Sequence, residues 1–217
     1  TLDVIVTNED EVQQKSRLIK QRPHTLPVVT SCRSCNNVFP RDEQYVAPFL
    51  ICVLSRSTDP ERQRNASADR ALSKSAALRA MIEQSKSENQ TRGGDARTVW
   101  KPDMDRIHRV ILKNARGHAY FECGEPMLEE PVHVWVSPLE YLPDRERVSF
   151  EGLGDEDVFA VWPELGSRMM ERVSTGEDMD GGWVVVQEGT YRYAVQQAGV
   201  LRVRAILSEY LATEVQW

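Results

Sequence analysis

No apolar run in this chain approaches the roughly 18 residues needed to cross a bilayer, and the mean hydropathy is -0.48. No membrane partner is therefore expected. Thr1 to Asn8 lack the basic start and apolar core of a signal peptide, so the expectation is a reduced, cytoplasmic protein. Cysteine and histidine are scarce, four of each, so any metal site must draw its ligands from a short supply. The second half holds neither an internal repeat nor a glycine loop of the kind that cradles phosphate. What is present is enough for a core: 217 residues, 41% of them apolar, fit one domain or two small lobes.

The net charge of -6 hides an asymmetry. Residues 1–13 carry no Lys or Arg and 4 acids, and residues 14–116 carry 20 basic and 10 acidic side chains, a net +10. Residues 117–217 reverse this with 7 basic and 19 acidic, a net -12. A basic segment of this kind is the electrostatic footprint of a nucleic-acid surface, and it is equally the complement of the chain's own acidic half. The acidic half also suits a protein partner or self-association.

Within the basic segment, Leu26-Pro27-Val28-Val29 runs extended into Thr30-Ser31-Cys32-Arg33-Ser34-Cys35-Asn36-Asn37. Two cysteines separated by two residues have the spacing of a zinc knuckle, in which both thiolates face one ion. Cys32 and Cys35 make only half of a tetrahedral site. The other cysteines, Cys52 and Cys123, and the histidines, His24, His108, His118 and His133, form no second pair at ligand spacing. Reduced thiols at a turn are the alternative reading.

Pro40, Asp42 and Glu43 mark a helix start, and Tyr45, Val46, Phe49, Leu50, Val53 and Leu54 recur at helical spacing as its buried face. Cys52 beside them reads as a small buried hydrophobe. Two short helices are expected after Pro60, the second with Leu78, Met81 and Ile82 as its buried stripe, followed by an exposed loop over 87–98. A long helix is expected from about Pro102 to Glu122. Ile107, Val110, Ile111, Ala115 and His118 share one of its faces, and Arg106, Arg109, Lys113 and Arg116 line a neighbouring one. His118 on that apolar face reads as a core histidine.

Beyond Gly124 the pattern becomes β. Strands are expected at His133–Val136, Val158–Trp162, Trp183–Gln187, Tyr191–Val195, Val200–Leu207 and Tyr210–Trp217, with a short helix over Pro163–Arg172 and a short strand at Leu2–Val6 near the start of the chain. The fold class is therefore α+β: a knuckle segment and its helix over 1–57, a basic helical region over 58–122, and an antiparallel sheet of about four or five strands backed by a helix over 123–217.

The knuckle with its lead-in strand and following helix resembles the second half of the motif in a bacterial group of HNH endonucleases. The similarity extends through Lys113-Asn114-Ala115-Arg116-Gly117-His118-Ala119, Trp162-Pro163-Glu164-Leu165-Gly166-Ser167-Arg168 and Leu207-Ser208-Glu209-Tyr210-Leu211. The resemblance implies a ββα segment folded around a divalent ion, Mg²⁺ or Mn²⁺, with a structural zinc between two knuckles, and hydrolysis of a nucleic-acid phosphodiester. Asn36 matches the position that helps to hold the metal.

The chain departs from the family elsewhere. No C-x-x-C precedes Cys32. Asp10-Glu11-Val12-Gln13-Gln14-Lys15 puts Glu11 where the family has its catalytic histidine, and Thr25 stands at the position of the central Asn, with His24 one residue earlier. The expected site is thus Glu11, His24 and Asn36 for chemistry and Cys32 and Cys35 for zinc. Lys15, Arg17, Lys20, Arg33, Arg41, Arg106, Arg109 and Lys113 are the expected nucleic-acid contacts. The alternative is a catalytically degenerate homologue that acts as a nucleic-acid-binding or protein-interaction module.

Overall fold

Pro40 opens the first helix, α1 (Pro40–Ser55), at the turn where its missing N–H is harmless, and Asp42 and Glu43 lie near the positive end of the helix dipole. The computed structural model describes residues 29, 37, 39–63, 65–90, 96–153, 163–197 and 199–217. The strands expected at Leu2–Val6 and Val158–Trp162 lie outside the described residues. Within them the fold is α+β, and the chain divides into two compact units: the described residues from Asn37 to Val110 belong to the first, and Val29 with those from Ile111 to Trp217 to the second.

In the first unit α1 buries Tyr45, Val46, Phe49, Leu50, Cys52 and Val53. Leu54, expected on the same face, is exposed, because the buried face is already filled by the i, i+3, i+4 series from Tyr45. Arg56 ends the helix in the left-handed conformation, φ 54°, with its N–H directed at the last carbonyls. After a 3-10 turn at Pro60–Arg62 come α2 (Ala66–Lys74), capped by the Asn65 side chain, and α3 (Ala76–Gln84), capped by Ser75. Ile82 is fully buried, but Met81 is exposed; it projects about 100° around the helix from Ile82, so the buried stripe of α3 is narrower than expected.

The expected loop over 87–98 is instead an antiparallel hairpin, β1 (Lys86–Gln90) with β2 (Ala96–Trp100), in which Lys86 lies opposite Trp100. Polar Ser87-Glu88-Asn89-Gln90 carries no strand signal of its own. The pairing is anchored by burial of Val99 and Trp100, by the Lys86 ammonium over the Trp100 ring and by the Lys101 N–H donated to the Ser85 carbonyl at 2.8 Å.

The long helix α4 runs from Met104 to Cys123. Asp103 caps it by accepting the Arg106 N–H, and its own N–H is held by the Tyr45 hydroxyl at 3.0 Å. In the second unit a six-stranded antiparallel sheet is ordered β3 (His133–Pro138), β8 (Leu211–Gln216), β7 (Leu201–Leu207), β6 (Tyr191–Gln197), β5 (Trp183–Gln187) and β4 (Met179–Asp180).

Register assigns the two faces, because side chains alternate along each strand. Tyr193, Val203, Ala205, Thr213 and Val215 share one face, which meets the second half of α4 and α6 (Arg168–Thr175). Ala194, Ile206 and Ala212 share the other with Trp183 and Trp135. There they form a core with Leu139, Phe150 and Leu153 from α5 (Asp144–Glu151) and its flanks. The sheet is covered by helix on both faces, where the sequence pointed to one. No helix among the described residues is long and apolar enough to cross a membrane.

Candidate functional site

Of the side chains singled out from the sequence, Glu11, Lys15, Arg17, Lys20, His24, Cys32, Arg33, Cys35 and Asn36 lie outside the described residues. Residues on either side of the knuckle are described. Val29 lies against α4 in the second unit, its Cγ2 3.8 Å from where a Cβ on Gly117 would sit. Asn37 is helical and exposed. Among the described residues no group of three or more His, Cys, Asp or Glu side chains is placed to hold a metal ion.

Arg41, Arg106, Arg109 and Lys113 are described. Arg41 is exposed at the first turn of α1. Arg109 grips the buried Asp42 with two hydrogen bonds, Nε to Oδ2 at 2.7 Å and Nη2 to Oδ1 at 3.1 Å. Arg106 stands 3.8 Å from the same carboxylate and stacks over the Tyr45 ring. The Arg109 hydrogen bond holds the Asp42 carboxyl below the usual carboxylate range, against the opposing pull of burial. Two of the arginines expected to grip phosphate therefore balance a buried carboxylate within the first unit. Asp42 was legible as a helix-dipole residue; its partners 64 and 67 residues away were not.

The second unit contains a buried polar cluster that the sequence reading missed apart from His118. Glu122, with no exposed surface, accepts hydrogen bonds from Arg172 Nε at 3.1 and 3.0 Å and from the Tyr193 hydroxyl at 2.5 Å. One carboxylate thereby ties α4, α6 and β6 together. The His118 ring, one turn earlier on α4, stacks on Tyr193 at 3.7 Å, and its Nε2 meets the Tyr191 hydroxyl at 2.5 Å. His118 Nδ1 has no partner among the described residues.

Burial pushes His118 down to about 3 and raises both tyrosine hydroxyls, Tyr193 further through the adjacent Glu122. His118 is thus a neutral imidazole throughout the physiological range. Beside the cluster, burial and then Glu122 push the Cys123 thiol up to about 12, and burial pushes Cys52 up to about 11 in the first unit. Neither thiol is a nucleophile at neutral pH. With Glu122 saturated and His118 uncharged, the cluster's physical action is to lock three elements. Its sequence signal was an acid on the stripe Ile107, Ile111, Ala115, His118, since Glu122 follows His118 by four residues.

On the opposite face of the same sheet, a groove of about 520 Å³ lies between the sheet and α5, lined by His133, Trp135, Leu142, Arg145, Glu146, Ser149, Phe150, Arg204 and Glu214. Its inner wall is internally satisfied. Arg204 donates to Glu214 at 2.6 Å and stacks over Phe150 at 5.0 Å.

Compared with known proteins, the chain matches no family model, no curated protein and no solved structure.

Proposed function

We propose that the chain is an HNH-endonuclease-like protein that meets nucleic acid through its basic segment and hydrolyses a phosphodiester with the help of a divalent ion. The observation that carries this reading is the pair Cys32 and Cys35 with Asn36 directly after it, set in a segment of net charge +10. The exposure of Arg41, Arg62, Arg70, Lys74 and Arg79, none of them in an ion pair among the described residues, supports a phosphate-facing role for the first unit. Arg106 and Arg109 already face Asp42, so the phosphate contacts rest more on the exposed cations of α1, α2 and the start of α3.

A hard divalent ion prefers oxygen donors, the borderline imidazole suits transition metals, and zinc takes thiolates readily. Asn36 with Glu11 or His24 suits Mg²⁺ or Mn²⁺, and Cys32 with Cys35 suits zinc. The chemistry such an ion supplies is polarisation of the phosphoryl oxygens and activation of water. Glu11 or His24 would accept the proton of that water.

Incubation with supercoiled plasmid and Mg²⁺ or Mn²⁺ tests the proposal. The expected result is metal-dependent nicking that Asn36→Ala abolishes. Glu11 at the histidine position favours a second reading, a degenerate homologue that binds without cutting; binding that weakens steeply with salt and produces no nicking is its signature. Absence of binding even at low salt would overturn both readings.

A further inference from the structure

Strand β3 forms one edge of the six-stranded sheet, and the direction of its backbone groups follows from two hydrogen bonds. The Leu139 N–H donates to the Tyr210 carbonyl at 2.7 Å, in line with the β3–β8 register. Hydrogen-bonded pairs alternate along an antiparallel ladder, so Ser137, Trp135 and His133 turn their backbone groups toward β8. The Trp217 N–H donated to the Leu201 carbonyl gives the same alternation from the β7 side. Val134 and Val136 therefore present two N–H and two C=O groups to the outer side, where no strand among the described residues pairs with them.

Sheet edges in soluble proteins are usually guarded by charges, bulges or proline. The segment Val134-Trp135-Val136 has no charge, and proline comes only at Pro138, where the strand ends. Beside this edge, on the face that carries Trp135, lies the groove under α5. Its inner wall of Trp135, Phe150 and the closed Arg204–Glu214 pair offers stacking surface without unbalanced charge. The stretch around the strand is net acidic: Glu129, Glu130, Glu140, Asp144 and Glu146 outnumber Arg145 and Arg147 over residues 129–147, although Glu130 itself faces Arg116 at 3.8 Å, and residues 117–217 carry a net -12.

We propose that β3 is a docking edge for an extended, basic segment of a partner protein. The segment adds as a further strand through the main chain of Val134 and Val136 and lays an apolar side chain beside Trp135 in the groove. Main-chain hydrogen bonds supply affinity in this mode, and the groove and acidic rim supply selectivity. The site is independent of any nucleic-acid activity of the first unit.

The test uses the full chain and an acetylated, amidated heptapeptide, Lys-Val-Lys-Phe-Lys-Val-Lys, followed by tryptophan fluorescence and by amide hydrogen exchange. Saturable binding is expected to slow exchange at the Val134 and Val136 amides and to leave Trp135, already bonded to β8, unchanged. Val136→Pro removes one outward donor without touching the β8 ladder, a position where edge strands tolerate proline. It should weaken binding about tenfold with an unchanged circular dichroism spectrum. The same peptide N-methylated on the amides facing β3 should bind about as weakly to the unmodified protein, which keeps the test decisive should the proline variant misfold.

Equal binding by the methylated peptide, or binding without protection at Val134 and Val136, would overturn the proposal in favour of unspecific charge attraction. Self-association of the chain that disappears in Val136→Pro would overturn it in favour of a second copy as the occupant.

Discussion

Glu122 joins α4, α6 and β6 through one buried carboxylate, and its value lies in being fully paired. A carboxylate with no exposed surface is tolerable only because Arg172 and Tyr193 both donate to it. Glu122→Gln leaves the Arg172 guanidinium, itself only 12% exposed, without its buried counter-charge and with only the more exposed Asp178 at 3.4 Å beside it. The expected loss is about 3–5 kcal/mol in urea unfolding. Pairing the change with Arg172→Met should recover part of that loss, because it removes the stranded charge; a double variant no better than the single would show that the pair is not coupled. Asp42 in the first unit differs, since Arg109 is half exposed. Asp42→Asn should lower the urea midpoint by less than Glu122→Gln does.

At the scale of elements, α4 combines a good stripe with one weak residue. Gly117 lies inside the helix, and a Cβ there would make ordinary contact with Val29 at 3.8 Å. Gly117→Ala is therefore expected to stabilise the protein by about 0.5–1 kcal/mol, seen as a higher thermal midpoint. The β7–β8 turn shows the opposite economy. Ser208 and Glu209 both adopt positive φ, 55° and 48°, where a side chain crowds the backbone. Glu209 is compensated by two hydrogen bonds from Arg192 at 3.0 and 2.8 Å, whereas the Ser208 side chain has no such bond among the described residues. Ser208→Gly should raise stability by about 0.5–1 kcal/mol, and Glu209→Gly should gain less or nothing because it sacrifices the Arg192 contact.

At the scale of the whole molecule, the two units respond to acid in different windows. His118 is held near 3 in the folded chain and returns to about 6.5 on unfolding. Below pH 6.5 the unfolded state takes up a proton that the folded state refuses. The stability from this group is complete above that value and falls by about 1.4 kcal/mol per pH unit as the pH drops toward 3. Asp42 has a lowered folded value, so its contribution is present above the ordinary carboxylate pKa of about 4 and fades only below it. Urea midpoints at pH 7, 5.5 and 4.5 should decline in wild type and decline less steeply in His118→Phe. At the alkaline end, Tyr191 and Tyr193 have raised folded values, so stability is lost from about pH 10 upward.

Elements whose signal is local were legible in the chain alone. Helical spacing located α1 and α4, and β-branched runs located β3, β5, β6, β7 and β8, because each pattern follows from the period of its own backbone. The charge reversal between the halves and the half knuckle at Cys32 and Cys35 are likewise properties of sequence. Only tertiary structure decided that Arg109 and Arg106 face Asp42, that Glu122 joins Arg172 and Tyr193, that polar residues 86–90 form a strand, and that Val134 and Val136 lie on an outer edge. Each of these depends on groups brought together from 6 to 81 positions apart. Their energies come from desolvation and pairing, which no local period encodes.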